Sequence, residues 1–256
     1  MFGTNLDYIA AKCERKRKES PEEMGYKQIR TDRALEDWIY FIPGAVARLP
    51  GLGKLLKIGA NIDAYVTAKS VVQTDPKKTR LHLEGVAQQA IQDHKNKKAY
   101  RKLNVLAVSI GNCPAYIFAN EVPVNRFVSV VPGSSLPECI RDSRATGKIL
   151  RASTKPFEEY KKELDHLGPI RNLDNLNVRN LELHLGDSDL FIPSKYGDEL
   201  VNAIKEKGIN YTLDTYKNAG HVETLLSFAN KFAKREKVFD LGINPKQFYN
   251  VALDGI

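Results

Sequence analysis

The chain has 256 residues, of which 42% are apolar and 27% charged, and it carries a net charge of +8. Those figures exclude a disordered chain, a collagen-like repeat and a coiled coil, and the length allows a sizeable core without disulfides or metals. The positive excess sits entirely in residues 1–103, with 20 Lys/Arg against 12 Asp/Glu, whereas residues 104–256 hold 19 of each. Such a field can draw in an anionic substrate. The two basic runs, 12–18 and 95–102, lack interleaved aromatics and any Cys/His finger, so they read as solvated helix faces and not as a nucleic-acid site. Three widely spaced cysteines point to a reducing compartment. The longest weakly polar stretch, 38–47, is too short to span a bilayer, and the N-terminus has no secretory pattern, so a cytoplasmic globular protein is expected.

In chain order, a basic helix is expected over residues 6–18, within an N-terminal extension reaching residue 25. A weak strand follows near 26–30. Trp38-Ile39-Tyr40-Phe41-Ile42 is a dense β-forming run stopped by Pro43-Gly44. Residues 55–60 read as helical and 64–72 as another strand. Val86, Ala90 and Ile91 stand at helical spacing in 84–100. Residues 103–110 form a buried strand, with further strands at 127–131, 181–185 and 211–216. Helices are expected at 195–207, closed by Gly208, and over Val222 to Phe232. Segment 134–178 lacks strand signals and reads as a small, partly helical insertion; with 8 basic and 7 acidic residues it is a poor candidate for a charged binding arm. Alternation of strands and helices predicts one α/β domain over 26–256, with a mostly parallel central sheet and helices on both faces.

The chemistry is sought where strands end. After the strand at 103–110 comes Gly111-Asn112-Cys113-Pro114-Ala115, and a tight turn that presents a nucleophile needs small residues two before and two after it. Gly111 and Ala115 satisfy that requirement around Cys113, whose thiol is a strong nucleophile if a neighbouring imidazole lowers its pKa. The strand at 181–185 runs into Gly186-Asp187-Ser188-Asp189. The last strand leads into Asn218-Ala219-Gly220-His221 at the head of the final helix.

This ordered set resembles the α/β-hydrolase superfamily, in which nucleophile, acid and histidine follow one another along the chain. The resemblance covers about residues 26–238 and implies a triad of Cys113, Asp189 and His221, with Asp187 as a turn residue and not the acid. It further implies an oxyanion-hole amide from the loop Pro43-Gly44-Ala45, and 134–178 as a cap over the site. A cysteine at the turn is similar to the dienelactone-hydrolase branch. The expected activity is hydrolysis of a small-molecule ester or thioester by acyl transfer to water, with no cofactor and no metal. His82, His94, His166 and His184 have no ligand spacing and receive no role. Residues 50–55 resemble a phosphate loop only in outline, since Leu55 stands where a magnesium-binding Ser/Thr belongs.

Pro114 departs from the family pattern. The residue after the nucleophile ordinarily gives its N–H to the oxyanion, and proline has none. A lost donor costs about 2.7–4 kcal/mol of transition-state stabilisation. Two alternatives follow: a non-catalytic binding or assembly module on the same fold, or a serine esterase whose nucleophile has been replaced by Cys.

Overall fold

The computed structural model describes residues 36–44, 61–68, 70–95 and 102–235, together with the backbone of 25–29. The basic helix expected over 6–18, the helical stretch at 55–60, Cys13 and Ala45 lie outside the described residues. Seven strands form one sheet: β1 (Gly25–Ile29), β2 (Asp37–Ile42), β3 (Asn61–Val66), β4 (Leu103–Val108), β5 (Val124–Val130), β6 (Val178–Gly186) and β7 (Tyr211–Tyr216). Their spatial order is β1-β3-β2-β4-β5-β6-β7. Only β1 is antiparallel; the other six strands run parallel, with Phe41 opposite Ala107 and Val108 opposite Val130 in the centre.

A parallel sheet must be covered on both faces, so its central strands are apolar on both sides. Ile39 and Phe41 of β2 point into one core layer with Val105 and Ala107 of β4. That layer is closed by α1 (Pro76–Lys95), α2 (Asn112–Glu121) and α6 (Ser194–Glu206), through Val86, Phe118 and Leu200 among others. Trp38, Tyr40 and Ile42 point the other way, onto α7 (His221–Arg235), where Trp38 meets Phe232 edge-on at 5.4 Å. Each large side chain so buried contributes about 1.5–3 kcal/mol.

Between β5 and β6 the chain forms α3 (Leu136–Asp142), α4 (Gly147–Ala152) and α5 (Phe157–Leu164), followed by two short 3-10 turns. This helical segment is fastened to the C-terminal ends of the strands. The Tyr160 hydroxyl reaches the carbonyls of Gln73 and Thr74 at 2.9 and 2.7 Å, and Ser153 donates to Thr74 at 2.7 Å. On its other flank Asp142 accepts from Lys195 and Tyr196, both at 2.7 Å. Several boundaries differ from expectation. The strand expected over 64–72 runs instead from Asn61 to Val66, and a bond from the Thr67 N–H to the Ile42 carbonyl is its last tie to β2. The strand expected to reach Ile110 ends at Val108, a difference that relocates the candidate site.

Candidate active site

The turn after β4 is sharp. Ser109 has a φ of 53°, in the left-handed region that non-glycine residues avoid at a cost of about 1–3 kcal/mol. It opens a single 3-10 turn, Ser109–Gly111, from which α2 starts at Asn112. The surroundings enforce this conformation. A Cβ at Gly111 would run into the Phe41 carbonyl oxygen, so helix and strand approach too closely for any other residue. Ala107, two residues before Ser109, is fully buried. Asn112, also buried, donates from Nδ2 to the carbonyls of Ser109 (2.9 Å) and Val130 (3.1 Å) and accepts from the Ser129 hydroxyl at 2.6 Å. The bend is thereby tied to the neighbouring strand.

The small-residue requirement assigned to Cys113 is therefore met four residues earlier, by Ala107 and Gly111 around Ser109. Cys113 is not at the turn. It lies in the first turn of α2, buried in an apolar cluster with Leu83, Leu136, Ile140 and Tyr160. Burial pushes its thiol pKa up to about 12, opposite to the depressed value a thiolate nucleophile needs. The second free cysteine among the described residues, Cys139, is buried as well and shifted upward for the same reason. Pro114 also changes meaning. In the first helical turn its missing N–H is one that the helix leaves unpaired anyway, so it removes nothing from the bend. The residue following Ser109 is Ile110, which has an N–H.

Asp189 and His221 are brought together. Gly186 ends β6 where a side chain would collide with Thr224 Oγ1 and the Ala219 carbonyl, so the segment leading into α7 can cross directly over the strand end. Asp189 Oδ2 accepts from His221 Nδ1 at 2.7 Å, and Oδ1 accepts the backbone N–H groups of Phe191 and Ile192 at 2.8 and 2.9 Å. The pair is almost completely buried. An Nδ1–H directed at a fixed carboxylate leaves the Nε2 lone pair as a base. Phe191 stacks on the imidazole at 5.1 Å and 23° and holds the ring plane. Asp187 is exposed, gives its N–H to the Tyr216 carbonyl and accepts from the Ser188 hydroxyl, as a turn residue does.

Gly44 follows β2, which pairs with β4, so Gly44 stands at the same end of the sheet as the Ser109 bend; Ala45 lies outside the described residues. A cavity of about 230 Å³ opens on the far side of the acid, with Asp189, Gly186 and Ile192 in its wall but neither Ser109 nor His221. The other histidines have local duties. His82 accepts the Ala68 N–H at 3.0 Å, His166 meets Glu84 at 2.8 Å, and His184 meets the Tyr216 hydroxyl at 3.1 Å. His94 packs against Asp63 at 3.3 Å. Among the described residues no group of His, Cys, Asp and Glu could hold a metal ion, and no helix is long and apolar enough to cross a membrane. Sequence reasoning missed Ser109, Asn112 and Phe191. The pattern Ala107-x-Ser109-x-Gly111 carried the signal for the first.

No protein-family model matches the chain, and no curated protein matches it in sequence. Solved structures do. A puromycin-hydrolyzing peptidase of Mycobacterium tuberculosis aligns at 15% identity over 84% of this chain, with a TM-score of 0.56. An acylaminoacyl peptidase of Pyrococcus horikoshii aligns at 12% over 91%, with a TM-score of 0.58. The chain spans only 35% and 43% of those two peptidases. A lipase-esterase related protein of Clostridium acetobutylicum aligns at 16% over 85% of this chain and 99% of its own, with a TM-score of 0.53. At these identities the likeness concerns the fold, which is that of the α/β-hydrolases.

Proposed function

We propose that the protein hydrolyses an ester or thioester by acyl transfer to water, with Ser109 as nucleophile, His221 as general base and Asp189 as the group that orients it. The observation that carries this reading is the left-handed bend at Ser109 on the central strand, in a sheet whose next strand ends supply the Asp189–His221 pair. In this scheme His221 Nε2 takes the hydroxyl proton as Ser109 Oγ attacks the carbonyl carbon, and Asp189 stabilises the imidazolium that forms. The oxyanion faces the Ile110 N–H. Collapse of the tetrahedral adduct expels the alcohol or thiol, which receives the proton from His221. Water then attacks the acyl-serine, His221 accepting its proton, and releases the acid and free Ser109.

The helical segment 134–178 serves as a cap in this reading, since its anchors lie on the loop that follows β3 and at the start of α6, which follows β6. With Ile110 in place to donate, one motive for a non-catalytic module, the missing amide of Pro114, no longer applies. The neighbours named as peptidases and esterases are compatible with acyl transfer.

The test compares Ser109→Ala with Cys113→Ala on para-nitrophenyl butyrate, together with labelling by a fluorophosphonate and peptide mapping. Ser109→Ala is expected to lose about a thousandfold or more in kcat and all labelling, while Cys113→Ala retains both. Activity that survives in Ser109→Ala, or a label mapped to Cys113, overturns the assignment.

A further inference from the structure

The near-neutral charge of segment 134–178 conceals a segregation. Residues 143–157 contain Arg144, Lys148, Arg151 and Lys155 and not one Asp or Glu. Most acids of the surrounding helices are occupied elsewhere, Glu138 with Lys161, Asp142 with Lys195, Glu163 with Arg80 and Asp165 with Arg171, while Glu158 of α5 is exposed. Lys155 pairs with Glu159 at 2.8 Å. Arg144, Lys148 and Arg151 are exposed and have no carboxylate partner among the described residues.

Their arrangement points to the site. Lys148 and Arg151 stand three apart on α4 and share a face, and Arg144 precedes Lys148 by a further four residues. The Arg151 guanidinium folds back over Gly147, with Nη1 3.4 Å from where a Cβ would stand. The backbone N–H of Arg144 donates at 3.0 Å to the carbonyl of Leu190. Leu190 lies between Asp189 and Phe191, the residue stacked on His221. Arg144 is thus tied by its backbone to the acid loop, and Lys148 and Arg151 follow it in the chain on α4. Guanidinium forks at this spacing suit a carboxylate or phosphate, which they can grip by two parallel hydrogen bonds.

We infer that Arg144, Lys148 and Arg151 form an anion-binding rim that selects esters bearing a carboxylate or phosphate beyond the scissile bond. The assignment to substrate choice rests on the hydrolase reading above. An anionic substrate would be steered to the rim and held by it, and the effect would weaken as salt shortens the screening length below about 8 Å.

The experiment measures equilibrium binding to the Ser109→Ala protein, so that affinity is read without turnover. The probes are para-nitrophenyl butyrate, mono-para-nitrophenyl succinate and para-butyryloxyphenyl phosphate, at low and high salt. At least one anionic ester is expected to bind about tenfold more tightly than the neutral one, the effect of two or three exposed charge pairs acting together. Adding Arg144→Gln and Arg151→Gln should abolish the preference, and Lys162→Gln, on the exposed side of α5, should leave it in place. Comparison of the two anionic probes separates carboxylate from phosphate recognition. Equal binding of all three probes, or a preference that survives loss of both arginines, overturns the rim. If the rim's preference is found but the parent protein turns over none of the esters, the rim stands as an anion site and the hydrolase reading fails.

Discussion

Among the described residues two buried histidine–aspartate pairs stand against this sheet, and they differ in almost everything except composition. His221 and Asp189 meet through Nδ1 at 2.7 Å at the C-terminal strand ends, with the second carboxylate oxygen held by two backbone N–H groups. His94 and Asp63 meet through Nε2 at 3.3 Å between α1 and the middle of β3, with Tyr65 and Phe118 rings packed on the imidazole. The second pair sits within the core layer, where no reacting group can approach. The first faces the edge at which parallel strands release their loops, the same edge as the strained bend. Residue identity and proximity thus do not make a site; position along the strand and what fixes the second oxygen do.

The largest expected effect separates the pairs. Asp189→Asn should lower kcat by about ten-thousandfold, because the amide turns the histidine tautomer the wrong way, in addition to the stability it loses as a broken buried pair. Asp63→Asn should also cost about 3 kcal/mol of stability but keep kcat at a temperature well below unfolding. Kinetics and denaturant melts on the same two variants decide it. Equal rate losses would mean that the pairs are not functionally distinct.

A third histidine gives the next effect. His184 on β6 is held neutral by burial, its pKa lowered to about 4 from an ordinary 6.5. The unfolded chain takes up a proton there more readily than the folded one, so stability is complete above about pH 6.5 and is lost as pH falls toward 4. The shift corresponds to about 3 kcal/mol. Denaturant midpoints measured between pH 7 and 4 should fall steeply in the parent and more gently in His184→Gln. A parallel fall in both would assign the acid sensitivity to other groups.

Much of the architecture could be read in the chain because both faces of a parallel sheet are buried. Trp38 to Phe41 and Val105 to Val108 announce themselves as unbroken apolar runs. Gly186-Asp187-Ser188-Asp189 and Gly220-His221 were legible because glycine marks each crossing over the strand end. The bend was not. Ile110 prolongs the apolar run beyond the true end of β4, and hydrophobicity is blind to a reversal of φ at Ser109. Gly111 serves equally as the first small residue of a window on Cys113 and as the last of a window on Ser109, and the thiol drew the choice. The start of α1 was missed for a different reason. Residues 76–82 hold one large apolar side chain, Leu81, which is exposed, and the turn is fixed by distant partners: Thr79 bonds the Gln73 N–H and Arg80 reaches Glu163.

Asn112 tests whether the bend needs its tie to β5. Asn112→Ala removes two donated bonds and one accepted from Ser129, leaving the Ser129 hydroxyl and the Val130 carbonyl buried without a partner. A loss of about 2 kcal/mol in stability is expected. If the tie also holds Ser109 in its left-handed conformation, kcat should drop by about ten- to a hundredfold with KM little changed, a split that a merely weakened core would not produce. Asn112→Asp, which keeps an acceptor for Ser129 but sets a buried carboxylate oxygen against the Ser109 and Val130 carbonyls, should lose at least as much stability as the alanine.

The smallest effect is asked of Cys113, and it closes the comparison between the two candidate nucleophiles. With its thiol pushed up to about 12 and its side chain packed among Leu83, Leu136 and Tyr160, Cys113 should resist iodoacetamide in the native protein at pH 8 and react only on unfolding. Cys113→Ser should leave kcat within a few-fold of the parent and cost about 1–3 kcal/mol, since a hydroxyl enters an apolar cluster. Peptide mapping of alkylated protein and a single melt suffice. Rapid native alkylation that depends on His221 would return Cys113 to the site and remove Ser109 from it, because one imidazole cannot serve two nucleophiles presented a helical turn apart.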